Sequence, residues 1–158
     1  MGVAETNRVS KVSERVLMDE FLTEFDAVFA EFARRAKPGR FEPNVDVALS
    51  SDERTLLVTV EIAGADPAQL RVMVEQRYLY IVGRRPDTDR ASRGTFLMKE
   101  IDYGEFAKRI HLPVQVAYED AAAFYRDGML TIRLPVSQDL PLPYNRTEIR
   151  MIVKRIPV

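Results

Sequence analysis

The chain has 158 residues, of which 30% are charged and 46% hydrophobic, and its net charge is −1. This balance fits one domain with extensions and gives no bulk attraction to nucleic acid or to an anionic membrane. There is no cysteine, which excludes a disulfide framework and a cysteine zinc site, and no apolar run nears the ~20 residues needed to cross a bilayer.

The pattern divides into an arm (residues 1–43), a β-domain (44–136) and a tail (137–158). The first residues lack the charged-then-apolar order of a secretion signal, so a cytoplasmic location is expected. In the arm, Val16, Leu17, Phe21, Phe25, Val28, Phe29 and Phe32 recur at steps of three and four, which predicts an amphipathic helix over 13–36. Acids dominate its body, Arg34, Arg35 and Lys37 lie at its end, and Pro38 and Gly39 stop it. The stripe of Phe21, Phe25, Phe29 and Phe32 suits packing against the arm's own domain or a partner subunit, or capture of other apolar surface once exposed.

The β-domain alternates from its start. Val45, Val47 and Leu49 share one face, residues 50–53 turn the chain, and Leu56, Val58, Val60 and Ile62 form a strongly periodic strand. Asp66 is placed to cap a short turn with Pro67 at its first position. Further strands are predicted at 70–74, 78–83, 95–101, 106–112 and 121–125, with a polar loop at 84–94. Short strands with frequent turns point to a two-sheet sandwich.

The stretch from Ala123 to Pro135 is the most specific. Asp127 and Gly128 supply a tight turn, and glycine takes positive φ without a Cβ clash. Beyond it Leu130, Ile132 and Leu134 form an aliphatic face alternating with Met129, Thr131 and Arg133, and Pro135 ends the strand. None of these side chains is reactive. The stretch describes a sheet that must pack.

Ala123, Asp127, Gly128, Met129 and Leu130 resemble the C-terminal signature of the alpha-crystallin domain of small heat shock proteins, with Asp for Asn and Met for Val. Gly104, Phe106, Leu112 and Pro113 resemble a second family element, and Ile156, Pro157 and Val158 the family's apolar docking triplet. The three occur in the family's order over about residues 44–158. The resemblance implies an all-β, immunoglobulin-like two-sheet sandwich with a helical arm and an extended tail. It implies a dimer in which a strand from the long loop, here with Phe96, Leu97 and Met98, crosses to the partner's sheet. Lys108 stands where the family carries an interface arginine; it keeps the charge but lacks the guanidinium fork. The family's tail-accepting groove maps to Val72 and Val74 on one strand and Ala121 and Ala123 on another. Pro157 favours an extended triplet with Ile156 and Val158 on one side, and Leu140, Pro141 and Leu142 imitate it nearer the domain. Ile149, Met151 and Val153 alternate as a short strand of no evident use.

Catalytic chemistry is not legible. His111 is the only histidine, flanked by Ile110 and Leu112, and no nucleophile elbow, Walker loop or dinucleotide fingerprint is present. Glu100 with Asp102 and Glu119 with Asp120 are spaced like any solvated strand edge. Arg84, Arg85, Arg90 and Arg93 are interrupted by Asp87 and Asp89, unlike a nucleic-acid patch. No cofactor, nucleic acid or membrane partner is expected. The expected function is an ATP-independent holdase that binds unfolding proteins and assembles with itself. The alternative is a non-chaperone interaction module on the same sandwich, of the p23 co-chaperone or gas-vesicle accessory type.

Overall fold

The computed structural model describes residues 26–35, 41–75, 77–88, 94–117, 119–138 and 146–153. The chain divides into two units, Met1–Glu31 and Phe32–Val158. Of the first, residues 26–31 are described, and they are helical; the helix α1 runs over 26–35. The N-terminal part of the predicted helix, with Phe21 and Phe25, lies outside the described residues.

The described residues of the second unit form nine strands: β1 (Asn44–Leu49), β2 (Thr55–Glu61), β3 (Arg71–Glu75), β4 (Tyr78–Arg85), β5 (Gly104–His111), β6 (Ala122–Arg126), β7 (Met129–Pro135), β8 (Arg146–Ile149) and β9 (Met151–Val153). One sheet has the order β1-β2-β7-β6-β9 and the other β5-β4-β3-β8. Alternation explains why they face each other. Leu56, Val58 and Val60 lie opposite Leu134, Ile132 and Leu130 across the β2–β7 ladder, and all six are buried. Val72, Val74, Leu79, Ile81, Phe106 and Ile110 fill the other half of the same core. Each buried aliphatic side chain contributes about 1.5–3 kcal/mol of apolar transfer, so the core sits between two matched period-2 faces.

Local chemistry sets the corners. Asp127 (φ 52°) and Gly128 (φ 79°) are both left-handed, the pair of values a type I′ hairpin needs between β6 and β7. A Cβ at Gly128 would stand 2.9 Å from Ala63 Cβ and 3.0 Å from its Cα, so both conformation and space require glycine. Asp66 Oδ1 accepts from the Ala68 N–H at 3.0 Å and caps the 3₁₀ turn Pro67–Gln69, with Pro67 at its start.

One expectation needs correction. The strand predicted at 95–101 is absent: residues 94–103 run irregularly and join neither sheet. A strand exists only where a neighbour takes up its N–H and C=O groups, and among the described residues this segment pairs with no strand. Val45, Val47 and Leu49 share one face of β1, as expected; Val47 and Leu49 are exposed on this edge strand. Only Val45 packs against the core.

Candidate functional site: the groove between β3 and β6

The sandwich closes at one end through its tail. Within the β1–β2–β7–β6 and β5–β4–β3 arrays, β6 and β3 are the last strands, one in each sheet, and both are capped by the tail. β8 adds to β3 antiparallel, with Val72 opposite Ile149 and Val74 opposite Thr147. One residue later β9 adds to β6 in parallel, with Ala123 opposite Met151. The tail thus crosses from one sheet to the other at Arg150, which is exposed.

Alternation seats two knobs. Ile149 is 5% exposed and belongs to the core, and Met151 packs against it half-buried. Val72 lies opposite Ile149 and Ala123 opposite Met151; Val72, Val74 and Ala123 are fully buried, and Ala121 is partly buried against the same core. Ile152, of opposite parity, is exposed. A charged clasp holds the rim. Arg71 Nε donates to Glu148 Oε1 at 2.9 Å and Arg71 Nη2 to Glu148 Oε2 at 3.2 Å, a two-pronged pair with side chains 25% and 23% exposed.

Of the four residues named from sequence as a groove, Val72 and Val74 lie on β3, Ala123 lies on β6 and Ala121 just before it, all in or against the same core. The segment resting on them is not one of the two proline triplets. Ile156, Pro157 and Val158, like Leu140, Pro141 and Leu142, lie outside the described residues. Sequence reasoning missed Arg71, Glu148, and the seating of Ile149 and Met151, although the alternation of 149 and 151 was a usable signal.

The other candidates fall elsewhere. Phe29 and Phe32 are half-buried on α1. Phe96, Leu97 and Met98 are exposed, Leu97 fully and Met98 to 77%, and Ile101 is exposed as well. Lys108 lies on the inner side of edge strand β5, between Phe106 and Ile110, and its Nζ donates to Glu42 Oε1 of the same chain at 2.8 Å. An inward lysine blunts a sheet edge against further pairing. The contact belongs to a strap that sequence reasoning placed in the arm. Phe41 sets its ring edge-on to Phe106 at 5.4 Å, Arg85 covers Phe41 at 4.3 Å, and Pro43 is buried. His111 is exposed and meets the Tyr78 ring edge at 5.2 Å.

The Glu42 carboxyl is held below its ordinary pKa, first by the hydrogen bond from Lys108 and then by its charge. A carboxylate with a lowered folded-state pKa contributes stability that is complete above its unfolded pKa and is lost as pH falls through the folded one. Glu42→Gln is therefore expected to lower stability slightly at neutral pH, by no more than about 0.5 kcal/mol for a pair this exposed. The difference from the parent should vanish in acid, as read by urea titrations at pH 7 and pH 3.

Comparison with known proteins places this arrangement. The family model described as "Hsp20/alpha crystallin family" matches residues 48–150. Small heat shock protein C4 of Rickettsia felis is 28% identical over 116 residues, covering 70% of this chain and 70% of the relative. The probable 15 kDa heat shock protein of Leptospira interrogans is 25% identical over 114 residues, covering 72% of this chain and 85% of its own. Among solved structures, heat shock protein 16.0 from Schizosaccharomyces pombe superposes with a TM-score of 0.59 at 25% identity, over 65% of this chain and 79% of that one. The hspA protein from Xanthomonas axonopodis gives 0.55 at 28% identity, over 62% and 96%. The fold is thus the β-sandwich of alpha-crystallin domains. The chain belongs to the Hsp20/alpha crystallin family, the small heat shock proteins, which are chaperones rather than enzymes. Among the described residues no helix is long and apolar enough to cross a membrane.

Proposed function

We propose that this chain is an ATP-independent holdase of the cytoplasm that binds unfolding proteins and keeps them from aggregating. The observation that carries the reading is a large apolar surface held out from a folded sandwich: Phe96, Leu97, Met98 and Ile101 on a segment joined to neither sheet. Such a patch is covered by association. The edge of β1, beside the exposed Val47 and Leu49, is the complementary surface. The segment around Phe96–Met98 of one copy pairs with β1 of a second and makes a swapped dimer. Lys108 contributes charge near that interface. The tail joins dimers into larger assemblies by offering an apolar triplet, Ile156–Pro157–Val158 among them, to the groove of Val72, Val74, Ala121 and Ala123 on a neighbour.

Clients are unfolding proteins, whose exposed apolar surface costs about 25 cal/mol per Å² in water. The aromatic stripe of Phe21, Phe25, Phe29 and Phe32 offers replacement cover when the assembly loosens. Nothing in the reading requires a nucleotide, metal or nucleic acid.

The test is light scattering from a heat-aggregating client without ATP, with and without an equal subunit concentration of this protein. Suppressed scattering with soluble complexes is expected. Phe21, Phe25, Phe29 and Phe32 replaced together by serine in the full chain should lose most of the suppression. Unchanged scattering from folded parent protein would reject the holdase in favour of an interaction module.

A further inference from the structure

We infer that Arg71 is a specificity-determining residue of the groove, selecting a tail segment that carries a carboxylate immediately before its first apolar knob. The seated segment reads Glu148, Ile149, Arg150, Met151. Ile149 and Met151 fill apolar positions that any aliphatic pair at spacing two would fill, so they carry little discrimination. The polar element lies at the preceding position. Glu148 is directly opposite Met73 on β3, and Arg71 lies two residues along the same outer row, the diagonal across which long side chains meet. Met73 is 1% exposed although it points away from the core, so the guanidinium and carboxylate meet beside a covered apolar surface and not in open water.

The geometry ranks the three apolar triplets of this tail. Ile149 is preceded by Glu148 and Leu140 by Asp139, so both present a carboxylate to which the Arg71 fork can donate. Ile156 is preceded by Arg155. In the same register Arg155 would place a second cation where Glu148 sits, turning a charge-assisted pair into a like-charge contact. Arg71 therefore keeps the groove for an acidic-led segment and disfavours the Ile156 triplet until either charge changes. The consequence for assembly rests on the tail-and-groove reading proposed above; the selection itself does not.

Amide hydrogen exchange on the full-length protein without client tests it. Glu148→Arg is expected to speed exchange across residues 147–153 by roughly tenfold, the effect of one partly exposed charge-assisted pair replaced by repulsion. Amides of β2 and β7 should be unchanged. The double reversal Arg71→Glu with Glu148→Arg should restore protection, and Glu148→Arg combined with Arg155→Glu should transfer protection to the amides of Ile156 and Val158. Exchange at 147–153 within twofold of the parent in Glu148→Arg, or no recovery in the double reversal, would overturn the selection. If Arg71→Glu loosens β2 and β7, Glu148→Gln leaves Arg71 in place and decides alone: a several-fold loss confined to 147–153 supports the inference and no loss overturns it. Client scattering is a separate readout, so failure of the holdase leaves the charge rule measurable, and the reverse.

Discussion

Replacing Phe106 with alanine is expected to remove about 3–5 kcal/mol of stability, which for a chain of this size lowers the melting temperature by about ten degrees. The ring is 1% exposed and lies opposite Gly83 across the β4–β5 ladder. It also receives the Phe41 edge at 5.4 Å, so its loss opens a cavity and slackens the strap that Arg85 covers. Gly83→Ala strikes the same place from the other side. A Cβ there would stand 2.5 Å from Leu70 Cδ2 and 2.6 Å from Phe106 Cζ, and overpacking of this kind costs about 1–3 kcal/mol. The two changes share a contact and should not add. In the double variant the alanine at 83 has lost one of its two clashes, so the combined loss should fall short of the sum by about 1 kcal/mol or more. Urea unfolding of the four proteins measures this. Strict additivity would mean that the Phe106 ring does not limit the space at Gly83.

The second large effect concerns association. Phe96, Leu97 and Met98 replaced together by serine should weaken self-association about a hundredfold or more, since buried aromatic and aliphatic anchors dominate interfaces. All three are exposed in the single chain, so the sandwich itself should keep its far-UV circular dichroism. Light scattering in line with size exclusion should then report mass close to the 18.1 kDa of one chain at micromolar concentration. An unchanged assembly would place the dimer contact elsewhere, with the free edge of β1 left for another role.

Much of this architecture was readable from residue order. The β2 and β7 faces were legible because a half-buried strand repeats every two residues, and Leu56, Val58 and Val60 leave no other period. The hairpin at Asp127 and Gly128 was legible because few residues tolerate two successive left-handed conformations. What failed did so for want of a neighbour. Residues 95–101 have strand composition, but composition does not supply the ladder that makes a strand. Phe41 was counted with the arm because its partner, Phe106, lies far along the chain. The groove was half legible. Val72, Val74, Ala121 and Ala123 could be named by resemblance, but two proline triplets compete on apolarity alone, and Ile149 and Met151 read only as a short strand. Arg71, 77 residues from Glu148, enters the comparison only once β3 and β8 lie side by side.

The tail has one further consequence, during synthesis. The hairpins β1–β2, β3–β4 and β6–β7 each join strands that follow one another directly, so they can form as the chain emerges. The outer edges of β3 and β6 cannot be capped this way, because β8 and β9 follow every other described strand in the chain. Until residue 153 is made, a nascent copy displays two unpaired edges beside an open apolar groove. On a polysome, where several copies grow side by side, that interval is when one chain can seize another's edge.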